Sequence, residues 1–267
     1  TVLSRGLGDV YKRQTYDHMF LDGLEDAYTG RAMGTFAQDL ATTYGLTRDA
    51  MDEFALESLK RANTAITEGY FDQEIVPTVV TTRNGENSVT VDEQPKNARP
   101  EKIPNLKPAF AKGGTITAAN SSSISDGAAA LILMSASKAS SLGLEPLARI
   151  IGHATHAQQP SEFAIAPIAS IQKLLSHVAW SKDQVDLFEI NEAFAMVTML
   201  AMQELGLDHG KVNVNGGACA LGHPIGASGA RIIVTLIHAL RRLNKSKGVA
   251  SLCIGGGEAT SIAIELI

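Results

Sequence analysis

From Leu147 to the C-terminus the chain alternates between short apolar runs and helical stretches, and this alternation restricts the fold more than any other feature. Strand-like runs at 147–151, 185–190, 212–214 and 249–254 are interleaved with helical patterns near 167–180, 191–205 and 227–243. Strands separated by helix-length segments form a sheet covered by helices, so the pattern predicts a layered α/β domain. Just upstream, 128–134 is a continuous run of small and apolar residues. It is expected to be a strand buried on both faces, followed by a short helix over 137–142.

The first half has a different character. Met33, Ala37, Leu40 and Tyr44 recur at helical spacing and stop at Gly45. A second helix is capped by Thr47, buries Met51, Phe54, Ala55, Leu59, Ala62 and Ile66, and ends at Gly69. Strands are expected at 74–81 and 88–91 around an Asn84-Gly85 turn, and the proline- and lysine-rich stretch 92–112 reads as a long irregular excursion. A boundary falls near 125–145.

Composition removes several classes of function. Hydrophobic residues at 45% and charged residues at 19% fit a globular core rather than a disordered chain. A net charge of −5, with scattered Lys and Arg, argues against nucleic acid as a partner, and the basic group at 241–247 reads as a solvated helix end. No apolar run reaches membrane-spanning length and no signal peptide is evident, so the cytoplasm is the expected compartment and no membrane partner is expected. Two cysteines, Cys219 and Cys253, are too few for a disulfide framework or a zinc site and would act as thiols.

Residues 1–14 are set apart from this reading. Codons for Ser4–Gly8 and Asp9–Gln14 resemble two adjoining pieces of a transposase library adapter. The segment is therefore expected to be adapter-derived, and the chain a reading frame cut short upstream.

Three segments carry chemistry. In 212–231 a strand-like start enters a glycine-rich turn and then a helix, with His223 held between Gly222 and Pro224; alone, such a turn fits phosphate binding or a purely structural role. In 251–257 a thiol, Cys253, precedes Gly255-Gly256-Gly257. Backbone N–H groups there are suited to an oxyanion, and three glycines imply a close approach by ligand or backbone. In 189–195 Asn191 lies at a strand-to-helix junction, where capping is the plain explanation.

Together, Asn-Glu-Ala-Phe at 191–194, Asn-Gly-Gly-Ala at 215–218, Gly-His-Pro-Ile-Gly-Ala-Ser-Gly at 222–229 and Cys-Ile-Gly-Gly-Gly at 253–257 resemble the thiolase motifs in order and spacing, over a stretch running from about Tyr16 to the C-terminus. The resemblance implies the α/β/α/β/α thiolase layering with the N-terminal lobe largely missing: a loop domain at 15–124, a remnant of the N-terminal lobe at 125–145 and a C-terminal lobe at 146–267. It implies that Cys253 is the acid/base thiol and that His223 activates a nucleophilic cysteine and helps bind the thioester oxygen. Asn191 would hold the water completing that oxyanion site, and the Gly255 N–H would serve a second one. Ser122, Phe110, Ala193 and Phe194 match positions that contact CoA.

The resemblance further implies acyl-CoA substrates, no metal or redox cofactor, and a homodimer or homotetramer when complete. No residue here fills the place of the nucleophilic cysteine, so the 267-residue chain is expected to be inactive, with a large apolar face exposed. The 20–24 and 165–168 regions look closest to short-chain acetyl-CoA acetyltransferases. Longer-chain 3-ketoacyl-CoA thiolases and a non-catalytic acyl-CoA-binding relative are the alternatives. A decarboxylating β-ketoacyl synthase is disfavoured because such sites usually carry His or Asn where Cys253 stands.

Overall fold

The computed structural model describes residues 16–83 and 85–267; Asn84 and the adapter-like segment 1–14 lie outside the described residues. In the first half, α1 (Met33–Thr43) and α2 (Arg48–Thr67) follow the spacing of their apolar residues, and Gly45 and Gly69 adopt positive φ of 66° and 68° where the helices end. The Thr47 hydroxyl accepts from the Ala50 N–H at 3.2 Å, the expected cap. Two polar residues share the buried face of α2. Asp52 accepts from Arg48 and from the Asn120 side chain at 2.6 and 2.8 Å, and Ser58 faces the C-terminal half.

The strand expected from Glu74 starts later. β1 (Thr78–Thr82) and β2 (Gly85–Val89) form an exposed antiparallel hairpin, because Glu74 turns inward to accept a hydrogen bond from Thr235 at 3.0 Å. The stretch read as irregular contains α3 (Glu93–Asn97) and a 3-10 turn (Pro100–Asn105), pinned where Arg48 donates to the carbonyls of Ile103 and Leu106.

The run 128–134 corrects its expectation. It forms no strand with any described residue, and Ile132 and Leu133 are 87% and 71% exposed. An apolar run encodes a demand for burial, but a strand also needs a hydrogen-bonding neighbour. The short helix after it, α4 (Ala136–Ser141), is as expected.

The second half holds β3 (Ala148–Ala157), α5 (Ala166–His177), β4 (Leu187–Ile190), α6 (Ala195–Leu205), α7 (Ala218–Leu221), α8 (Ser228–Arg242), β5 (Lys247–Ile254) and β6 (Glu258–Leu266). The sheet order is β3-β6-β5-β4, with β4 and β5 parallel and the other pairs antiparallel. Alternation divides the side chains between two faces. Phe188, Ile190, Val249 and Ala263 pack with Ile171 and Leu174 of α5, while Leu187, Ala250 and Ile264 pack with Ile232, Leu236 and Leu240 of α8.

The structure departs from the sequence expectations at further points in this half. β6 was not anticipated, because Glu-Ala-Thr-Ser at 258–261 has no apolar run. The segment 212–214 is not a strand: Asn213 takes φ of 49°, which breaks the extended chain after a single bridge from Val212 to Phe188. The Asn213 side chain instead accepts from the Ile190 N–H and donates to the Ile190 carbonyl, both at 2.8 Å. Finally, α6 begins at Ala195, so Asn191 does not cap it. The basic helix end is also less solvated than expected, since Arg242 lies 3.7 Å over the Tyr70 ring and donates to Asn215 at 2.7 Å.

Candidate active site

Cys253 lies near the end of β5, buried and paired with Ala259 of β6. The glycines after it have different roles. Gly257 has φ of 88°, and a Cβ there would stand 2.3 Å from the Gln158 carbonyl, so backbone packing demands it. Gly255 instead lines the cavity in front of the thiol. Burial pushes the Cys253 thiol up to about 12, so it holds its proton unless a stronger base appears.

His223 is delivered by the loop between α7 and α8. Gly222 takes φ of 94°, and a Cβ there would strike the Ser125 hydroxyl. The His223 N–H donates to the Ser123 carbonyl at 3.0 Å, which holds the loop against 121–125. Its Nδ1 is 2.5 Å from the Ser228 oxygen, and the Ser228 hydroxyl donates to the Pro224 carbonyl at 3.0 Å. Nδ1 therefore carries the proton. Nε2, facing the Asn191 amide nitrogen at 3.3 Å, is the acceptor. Burial, aided by the positive charge of Arg231, lowers the His223 pKa to about 4, so the ring is neutral at physiological pH. The Asn191 Oδ1 is buried without a hydrogen-bond partner among the described residues.

The other nominated residues meet these. The Ser122 N–H and hydroxyl donate to the Ala193 carbonyl at 3.1 and 2.9 Å, and Phe110 packs edge-to-face on Phe194 with ring centres 6.0 Å apart. A cavity of about 300 Å³ is lined by Cys253, His223, Gly255, Ser122, Phe110, Ala193 and Phe194. Asn191 joins it through its contact with His223. Seven of the eight positions nominated from the sequence thus line one cavity, and Asn191 touches one of them, His223.

The sequence reading did not nominate Met33, Phe163 or Ile225, which also line the cavity. Met33 was read as part of a buried helix stripe, and nothing in its spacing separates a core residue from a cavity wall. Gly34 lies directly beneath the Phe110 ring, where a Cβ would collide with it. Cys219 lies outside the cavity and donates weakly to the Glu192 carbonyl, with Sγ 3.8 Å away. A second, more open groove of about 490 Å³ between α2 and α6 contains none of the nominated residues. Among the described residues, no cluster of His, Cys, Asp and Glu could hold a metal ion, and no helix is long and apolar enough to cross a membrane.

A mixed sheet between helices thus brings a thiol, a neutral histidine and glycine-rich turns to one apolar cavity. The family descriptions "Thiolase, N-terminal domain" and "Thiolase, C-terminal domain" match residues 5–137 and 144–266, and the chain belongs to the thiolase family. It is 51% identical over 260 residues to a probable acetyl-CoA acetyltransferase of Dictyostelium discoideum, covering 97% of this chain and 63% of that protein. Among solved structures it resembles the acetyl-CoA acetyltransferase of Bacillus anthracis, with a TM-score of 0.89 and 47% identity over 91% of this chain and 62% of the other. It also resembles the Acat5 thiolase of Ascaris suum in complex with coenzyme A, with a TM-score of 0.85 and 41% identity over 94% of this chain and 64% of the other. The chain thus spans less than two thirds of the length of these relatives, and its fold is the thiolase fold.

Proposed function

We propose that this chain carries the CoA-binding and acid/base part of a thiolase that interconverts two acetyl-CoA with acetoacetyl-CoA and CoA. The carrying observation is one apolar cavity where Cys253, His223 and Gly255 meet Ser122, Phe110, Ala193 and Phe194. In this reading 15–124 covers the CoA, 125–145 belongs to the N-terminal lobe, and 146–267 is the C-terminal lobe. The complete protein is a cytoplasmic homodimer or homotetramer.

The groups present fit the chemistry. A nucleophilic thiol, supplied from outside these residues, gives its proton to the bare Nε2 of His223, attacks the thioester carbon and releases CoA thiolate. Cys253 protonates that leaving group, and a thiol with a raised pKa is suited to keeping its proton until then. The Cys253 thiolate then takes a proton from the methyl carbon of a second acetyl-CoA. The enolate attacks the acyl-enzyme, and the nucleophilic sulfur leaves as a thiolate. The newly formed Nε2–H of His223, with a water on Asn191, steadies one oxyanion, and the Gly255 N–H steadies the other. Preference for acetyl over longer chains is supported by Met33 and Phe163 on the cavity wall.

The purified chain is expected to bind CoA without catalysing thiolysis of acetoacetyl-CoA. Turnover by these residues alone would refute the role given to the missing nucleophile. Absence of CoA binding would refute the cavity assignment. The competing non-catalytic reading needs neither Cys253 nor His223. In the enzyme at its relatives' length, loss of condensation in Cys253→Ala with CoA binding retained separates the two.

A further inference from the structure

Glu192 sits between two site residues, Asn191 and Ala193, but does not line the cavity. It is 1% exposed, and its carboxylate accepts three hydrogen bonds. They come from the Ser58 hydroxyl of α2 at 2.7 Å, the Asn213 side-chain amide at 2.8 Å and the Cys219 backbone N–H at 3.1 Å. Ser58 itself accepts from the Gly217 N–H at 2.9 Å, which commits the Ser58 proton to Glu192.

One carboxylate therefore joins three separate segments: helix α2, the left-handed corner at Asn213, and the start of α7 that leads to His223. The Gly216-Gly217 pair fits tightly around this junction. A Cβ on Gly217 would stand 2.3 Å from the Glu192 carboxyl carbon, and one on Gly216 would stand 2.5 Å from the Ser58 carbonyl. Close approach to protein, rather than to a phosphate, explains these two glycines. Burial raises the Glu192 pKa, while the donors and Arg231 oppose the rise. A buried carboxylate contributes little net stability compared with well-packed apolar groups, so its main consequence here is geometric.

We propose that Glu192 is a positioning residue: it fixes the Asn191 loop against the loop bearing His223, and so holds Nε2 of His223 at the Asn191 amide in a single tautomer. The inference rests on reading Asn191 and His223 as the reactive pair.

The test uses the full 267-residue chain with 15N-labelled histidine, with His223 assigned by comparison with His223→Asn. The two ring nitrogens of His223 should show widely split shifts, with Nδ1 protonated and Nε2 bare. In Glu192→Gln, which places an amide against N–H donors, the split should shrink toward the mean as tautomers mix. Ser58→Ala should shift it the same way by less. Leu174→Ala, a core truncation on α5, should destabilise the chain and leave the split unchanged. An unchanged split in both Glu192→Gln and Ser58→Ala would overturn the proposal, and Ser58→Ala decides alone should Glu192→Gln fail to fold. Because the readout needs no ligand, a failure to bind CoA would remove the proposed function without affecting this result.

Discussion

The run 128–134 and residues 248–254 of strand β5 look alike in sequence, since both are continuous stretches of small and apolar residues, yet they end in opposite environments. β5 lies between β4 and β6, and Val249 and Ala250 are buried under helices on opposite faces. In 128–134, Ile132 and Leu133 face solvent without a ladder. The difference teaches that an apolar run specifies a requirement for burial, while the neighbouring strands decide whether it is met. Burial of 128–134 requires surface that the described residues do not supply.

Substitutions divide these regions by size of effect. Phe188→Ala on β4 removes a fully buried ring and should cost about 3–5 kcal/mol in denaturant unfolding. A loss below about 1 kcal/mol would show that the sheet core is looser than described. Acidification should also act on the buried side. Above the ordinary histidine pKa of 6.5, His223 is neutral in both folded and unfolded states. Between there and about 4 only the unfolded chain takes the proton. The His223 contribution to stability should therefore fall as pH drops from about 6.5 to about 4, by less than about 1.4 kcal/mol per pH unit, while the buried Glu74 and Glu189, raised to about 7 and about 8, contribute in the opposite sense over the same range. The difference in pH dependence between the chain and His223→Asn should show this contribution; identical pH dependence in the two would contradict it.

Smaller effects follow outside the sheet. Thr47→Ala should cost about 1 kcal/mol, the usual value of an N-cap, measurable by thermal unfolding. Ile132→Ala should change stability by less than about 0.5 kcal/mol. Ile132→Asp should reduce self-association in sedimentation velocity, because it interrupts an exposed apolar stretch. A core-sized loss from Ile132→Ala would contradict the exposed placement of this run.

Much of the site was legible because its residues create local exceptions. A histidine between glycine and proline, a thiol before three glycines, and an asparagine at a strand end all depart from ordinary packing sequence. Helices were legible from their spacing, with α1, α2, α5 and α8 near their expected bounds. β6 was hidden because one of its faces carries only the small Ala259, Ser261 and Ala263, and its larger apolar residues begin only at Ile262. The end of the extended chain at Asn213 was hidden too, since a left-handed asparagine has no marker beyond its identity. Glu192 and Ser58 escaped notice for another reason: they lie 134 positions apart, and only the fold joins them.

The most direct measurement is calorimetric titration of CoA into the chain, into Cys253→Ala and into Phe110→Asp. The cavity assignment predicts equal affinity for the first two and at least about tenfold weaker binding for Phe110→Asp, which places a charge on the apolar wall. No binding to the unmodified chain, or undiminished binding to Phe110→Asp, would contradict it.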